Sequence, residues 1–200
     1  HAWLDSLEGQ KRLENVLLAY SMHNPSVGYC QSMNYVVALL LLVMDKKEDL
    51  VFFILIALIE RILFEGVYEP NLVGCQIEMK SLGVRSDNVT FVRYDVQDLL
   101  GMKLPKLARH LDSIHCEMSL IATDWFLCLF CTSVPSEVCV RIWDCIFNEG
   151  PKIIFRVAVA ILSLAERHLL KIDNAGEMLR AVKLYASNIH NRSITVHHHH

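Results

Sequence analysis

Gly28-Tyr29-Cys30-Gln31-Ser32-Met33-Asn34 runs straight into Tyr35-Val36-Val37-Ala38-Leu39-Leu40-Leu41-Leu42-Val43-Met44, and the turn residues Asn24-Pro25-Ser26 stand just before it. This junction decides how the chain is read, because hydrogen-bonding side chains meet a segment with almost nothing to offer water. A glycine that tolerates unusual backbone angles, followed by Tyr, Gln and Asn at the mouth of a helix, is a way to hold an amide side chain rigidly at a surface. The same residues also fit a plain turn and helix cap.

Outward from the junction the pattern is helical on both sides. Upstream, Leu13, Val16, Leu17 and Tyr20 recur at the spacing of one helix face, which predicts a helix over 7–22 that Pro25 breaks. Downstream, 32–44 reads as a helix so apolar that burial nearly all round is expected. A charged turn, Asp45 to Asp49, leads to a further helix over 49–63. Residues 64–71 read as a loop by their Gly, Pro and Asn. A short helix is expected over 73–82, a flexible excursion at 83–88, and a helix over 90–100 that Gly101 stops. Leu104-Pro105 opens the next, to about 114. Residues 119–132 are hydrophobic again, Pro135-Ser136-Glu137 opens a helix that ends at Gly150, Pro151 opens a long one to about 170, and 175–189 is the last. No segment alternates with period two between hairpin turns, and no repeat recurs at a fixed period. The expected fold is therefore all-α, an irregular multi-helix globular domain of about eight or nine helices.

Composition bounds the rest. Two hundred residues with 53% hydrophobic content fit one domain with a large core. The expected boundaries are 1–192 for a single helical domain that lacks its N-terminal part, and 193–200 for a tail ending in the tag His197–His200. The mean hydropathy of +0.31 raises the question of a membrane. The apolar runs 35–44 and 51–59 fall short of the roughly 20 residues needed to cross one, so no transmembrane segment is expected. Nineteen basic and 22 acidic residues, scattered for a net charge of -3, make no stripe for a phosphate backbone, and no nucleic-acid partner is expected. Seven cysteines, mostly inside apolar helical patterns, fit free thiols in the cytoplasm.

The search for chemistry is mostly negative. There is no Gly-rich phosphate loop, no His-Glu-x-x-His, no Gly-x-Ser-x-Gly and no EF-hand loop, so no nucleotide or metal of the chain's own is expected. Cys128 and Cys131 have CxxC spacing but lie in an apolar segment, which favours core packing. His110 and His115 read as ordinary helix residues. A Cys30 nucleophile with His23 as base has nothing to orient the imidazole. Arg141 and Asp144 form an i, i+3 pair of opposite charge beside a buried Trp143, a surface ion pair with Asp124 as a further polar partner.

Asn24-Pro25-x-Val27-Gly28-Tyr29-Cys30-Gln31-x-Met33-Asn34, Leu104-Pro105-Lys106-Leu107, Trp125-Phe126-Leu127 and Arg141-Ile142-Trp143-Asp144-Cys145-Ile146-Phe147-Asn148-Glu149-Gly150 follow one another in that order. Together they resemble the TBC domain of Rab GTPase-activating proteins, over about 7–170. The resemblance implies an all-helical domain that accelerates GTP hydrolysis by a Rab-family small GTPase through an inserted arginine and glutamine, with GTP and Mg²⁺ carried by the partner. It assigns the glutamine to Gln31, with Gly28, Tyr29 and Asn34 supporting the loop and Arg141, Trp143 and Asp144 as a structural motif. It also implies a cytoplasmic protein, peripheral to endomembranes through its partners. An amide orients water by accepting with its oxygen and donating with its nitrogen, and an arginine finger is worth about 10³ to 10⁵ in rate.

The sequence departs from the family pattern twice. Ser32 stands where the family usually has glycine, and no arginine, Arg12 included, sits in the family's Ile-x-x-Asp-x-x-Arg motif. The arginine is therefore expected upstream of these residues; the alternative is a non-catalytic helical adaptor that binds a small GTPase or another protein. Missing N-terminal helices would leave apolar faces uncovered, so self-association or instability of these 200 residues is expected.

Overall fold

A computed structural model describes residues 1–63, 67–68 and 96–189. Among them are nine α-helices and no strand, so the chain is all-α. The expected helix at 73–82, the excursion at 83–88, most of the loop at 64–71 and the first part of the helix at 90–100 lie outside the described residues.

Helix α1, Leu7–His23, starts at Ser6, whose hydroxyl accepts from Gly9 N at 3.2 Å and donates to Trp3 O at 2.6 Å. That side-chain cap satisfies one of the amides a helix start leaves unpaired. Helix α2, Met33–Val43, buries Met33, Val36, Val37, Leu40 and Leu41. Burial all round does not hold: Tyr35 is 48% and Val43 49% exposed. The reason is geometric, since α1 and α3 cover α2 along one stripe and leave its opposite side open.

Asp45 and Lys46, at φ 53° and 62°, reverse the chain into α3, Glu48–Ala57, which widens into a π-turn, Leu58–Ile62. Arg12 braces this corner from α1, donating to Lys46 O at 2.7 Å and pairing with Glu8 at 2.9 Å and Glu48 at 3.8 Å.

Helix α4, Val96–Lys103, continues through Gly101, the expected stop. The break comes at Leu104, at φ -131° and ψ 58°, because Pro105 disfavours helical geometry in the residue before it. Pro105 then opens α5, Pro105–Ser113, with its missing N–H at a position that needs no donor. Helices α6, Ser119–Leu127, α7, Ser136–Glu149, α8, Lys152–Leu169, and α9, Ala175–Ser187, complete the order. Gly150, at φ 87°, ends α7 where a side chain would be strained.

Trp125, Phe126, Phe130 and the inner faces of α7 and α8 share one buried cluster with α1, α2 and α3. Each fully buried large apolar side chain adds about 1.5–3 kcal/mol. Between α6 and α7 the chain turns tightly, with Leu129 and Phe130 at φ 47° and 66°. Leu129 O accepts from Trp143 Nε1 at 2.9 Å, and the Tyr68 hydroxyl donates to Leu127 O at 2.6 Å. Cys128 is buried and Cys139 Sγ lies 3.9 Å from Cys131 Sγ, so the CxxC residues belong to the packing of this turn. Burial, then the neighbouring Cys139, drives the Cys131 thiol far above its usual range.

Candidate functional site

The junction that opens the sequence is a loop built from the end of α1. Asn24 closes it almost alone. Its N–H donates to Tyr20 O at 2.9 Å, its carbonyl accepts from Gly28 N at 2.8 Å, and its Oδ1 accepts from Ser26 Oγ at 2.6 Å and Val27 N at 3.3 Å. Gly28 sits at φ +62°, where a Cβ would meet only Pro25 O at 3.9 Å, so the dihedral and not space calls for glycine.

Beyond Gly28 the backbone is held from the α2 side. Cys30 N donates to Met33 Sδ at 3.4 Å, Met33 N to Cys30 O at 3.1 Å, and Tyr35 N to Ser32 O at 3.1 Å. Met33, 1% exposed, anchors that turn in the core. Ser32 occupies the left-handed region at φ 95°, ψ -24°. The Gln31 carbonyl accepts from the Cys30 thiol at 3.4 Å, while the Gln31 side chain is exposed and makes no hydrogen bond among the described residues. An amide with both ends unspent thus stands on a backbone fixed from either side. Tyr29 is exposed and lines a shallow apolar groove with Leu13, Leu17 and Leu18 of α1, and Asn34 is half-buried at the start of α2.

A second layer lies behind the loop, and the sequence reading missed it. Asn24 Nδ2 donates to Glu60 Oε1 at 3.0 Å, and His23 Nε2 lies 3.4 Å from the same oxygen. The Tyr20 hydroxyl is buried beside them, close to both Asn24 and Glu60. Burial first, then the Glu60 charge, push that phenol up to about 12. Glu60 closes the apolar run 51–59, and no local spacing links it to Asn24.

Arg141 and Asp144 are both exposed on α7, and no ion pair joins them among the described residues; buried Trp143 ties α7 down through Leu129 instead. Asp124 pairs with Lys183 on α9 at 3.4 Å and not with the Arg141 helix face. Burial, then Cys128, raises the Cys30 thiol, which leaves less thiolate for a nucleophile. His110 Nε2 lies 2.8 Å from Ile172 O, and His115 follows α5 at φ 51°.

The family model for the Rab-GTPase-TBC domain matches residues 3–170. The human TBC1 domain family member 2A is 35% identical over 180 residues, which is 90% of this chain and 18% of that protein. The rat growth hormone-regulated TBC protein 1 is 38% identical over 169 residues, 84% of this chain and 53% of that protein. The crystal structure of the Chlamydomonas flagellar RabGAP TBC domain superposes with a TM-score of 0.82 at 39% identity, covering 96% of this chain and 59% of that one. The chain thus spans about a fifth to three fifths of these proteins. On that match of fold, sequence and order of motifs, this chain belongs to the RabGAP-TBC family.

Proposed function

We propose that this domain accelerates GTP hydrolysis on a Rab-family GTPase, with Gln31 supplied in trans to orient the attacking water. The observation that carries the reading is the free Gln31 amide on a loop pinned by Asn24 on one side and Met33 on the other. Phosphoryl transfer is catalysed mainly by positioning and charge neutralisation, so a rigid backbone under a free amide is the useful combination. Gly28, Tyr29 and Asn34 shape that loop, and Arg141, Trp143 and Asp144 belong to α7, which packs on the π-turn. GTP and Mg²⁺ come with the partner, and no arginine of these 200 residues stands in the family's finger motif. Among the described residues no helix is long and apolar enough to cross a membrane. A cytoplasmic domain brought to endomembranes by its GTPase, acting in vesicle trafficking, agrees with this and with the family.

Single-turnover GTP hydrolysis across a Rab panel, with the full-length protein, tests the reading. Gln31→Ala is expected to abolish acceleration and leave GTPase binding intact. Full acceleration by Gln31→Ala overturns the role given to Gln31, and a wild-type protein that binds a Rab without accelerating hydrolysis overturns the activity and leaves a binding module.

A further inference from the structure

We propose that Glu60 is a positioning residue for the Gln31 loop, acting from the π-turn through Asn24. The inference rests on the catalytic reading of Gln31 given above.

The contacts form a short relay. The Glu60 carboxylate accepts from Asn24 Nδ2 at 3.0 Å, and the other amide atom of Asn24, Oδ1, accepts from Val27 N and Ser26 Oγ. The Asn24 amide is therefore fixed in one orientation, since flipping it would turn its nitrogen toward the Val27 N–H and its oxygen toward a carboxylate. With the amide fixed, the turn from Asn24 to Gly28 is fixed, and Gln31 follows three residues on. Glu60 itself is held by its backbone: the π-turn closes with Leu63 N donating to Leu58 O at 2.9 Å, and Leu58 and Leu63 are both buried. Helix α7, which carries Trp143, packs on the same π-turn. Wide turns of this kind recur at functional positions inside helices.

Stability alone does not account for a carboxylate here. Glu60 faces the C-terminal end of α1, where the helix dipole is negative and an acidic group is the unfavourable sign. It also lies beside the buried Tyr20 hydroxyl, where its charge opposes ionisation of that phenol. The compensation comes from Asn24 and, when its imidazole is protonated, from His23 at 3.4 Å. A residue that breaks local electrostatic rules while holding one amide in place is placed for what that amide supports.

The relay predicts a pattern that loss of packing would not produce. In the full-length protein, Glu60→Ala is expected to lower kcat for GTP hydrolysis about 10- to 100-fold, the effect of a displacement near 1 Å, with KM for the GTPase within about twofold of wild type, as follows if Glu60 acts through Asn24 and not by touching the GTPase. Glu60→Gln keeps an oxygen acceptor for Asn24 Nδ2 and is expected to retain near-wild-type kcat. Asn24→Asp sets two carboxylates face to face and is expected to fall like Glu60→Ala. Asn24→Asp combined with Glu60→Gln restores a donor–acceptor pair of reversed polarity and is expected to recover most of the rate. Wild-type kcat in Glu60→Ala, or no recovery in the double variant, overturns the positioning role. Gln31→Ala, run in parallel, separates the two claims. If it is inactive while Glu60→Ala is not impaired, only the Glu60 inference fails; if it is fully active, the Gln31 reading fails with it.

Discussion

Ser32 carries the clearest strain at the residue scale. It follows Gln31 at φ 95°, in the half of backbone space where a side chain costs about 1–2 kcal/mol and glycine costs little. The position where the family usually has glycine is thus one that geometry assigns to glycine. Ser32→Gly is expected to stabilise the domain by roughly 0.5–1 kcal/mol, the strain relieved less the extra freedom glycine has in the unfolded chain. Urea unfolding checks it, and a loss of stability would show that the serine hydroxyl does something the backbone angle hides. Tyr20 offers a test in pH. Its hydroxyl is buried beside Glu60 and Asn24, and its ionisation is pushed up to about 12 from an ordinary value of 10.0. Below pH 10 both folded and unfolded states keep the proton, so the preference for the neutral phenol is fully expressed. As pH rises from 10 to 12 the unfolded state ionises first, and stability falls. Tyr20→Phe removes that fall. The melting temperature of wild type should therefore drop away from that of the variant between pH 10 and 12, and parallel curves would refute the assignment.

Among the elements, α1 combines a strict steric demand with a legible pattern. Gly9 lies under the Trp3 carbonyl, with a would-be Cβ also 2.9 Å from Leu4 Cα, and backbone atoms do not yield as a flexible side chain does. Gly9→Ala is expected to cost about 1–3 kcal/mol, the range of overpacking, despite alanine's better helix propensity. Thermal unfolding of that single variant decides it. The helix itself was legible because Val16 and Tyr20 bury at the spacing that local periodicity reads. Pro105 and Gly150 were legible for a related reason, since each acts on backbone next to itself. Gly101 misled because glycine is tolerated inside an exposed helix, whereas the residue before a proline is not free to stay helical. Tyr35 and Val43 misled because apolar content does not say which neighbours arrive to cover it. The Asn24–Glu60 bond spans 36 residues, and the π-turn that presents Glu60 has no sequence period, so this layer of the site became visible only with the chain folded.

At the scale of the whole molecule, one surface is more apolar than a closed domain needs. Leu7 is 87%, Leu18 56% and Met22 73% exposed along α1, and Tyr29, 56% exposed, continues the patch to the Gln31 loop. Leu18 and Met22 lie one turn apart on one helical face and, with Tyr29 beside Leu18, form a surface, whereas Leu7 stands three turns earlier, beyond the exposed Lys11–Glu14 ion pair. Contiguous exposed apolar area of this kind favours association, and a net charge of only -3 provides little repulsion between copies. The 200-residue chain is therefore expected to self-associate as concentration rises, through α1. Introducing charge on that face with Leu18→Glu and Met22→Glu touches no buried position, so it should leave the melting temperature close to wild type while keeping the chain monomeric. Light scattering over a concentration series reads both outcomes. A wild-type chain that stays monomeric would mean that the groove beside Tyr29 is too shallow to hold a second copy, and association in the double variant at wild-type strength would move the contact away from α1.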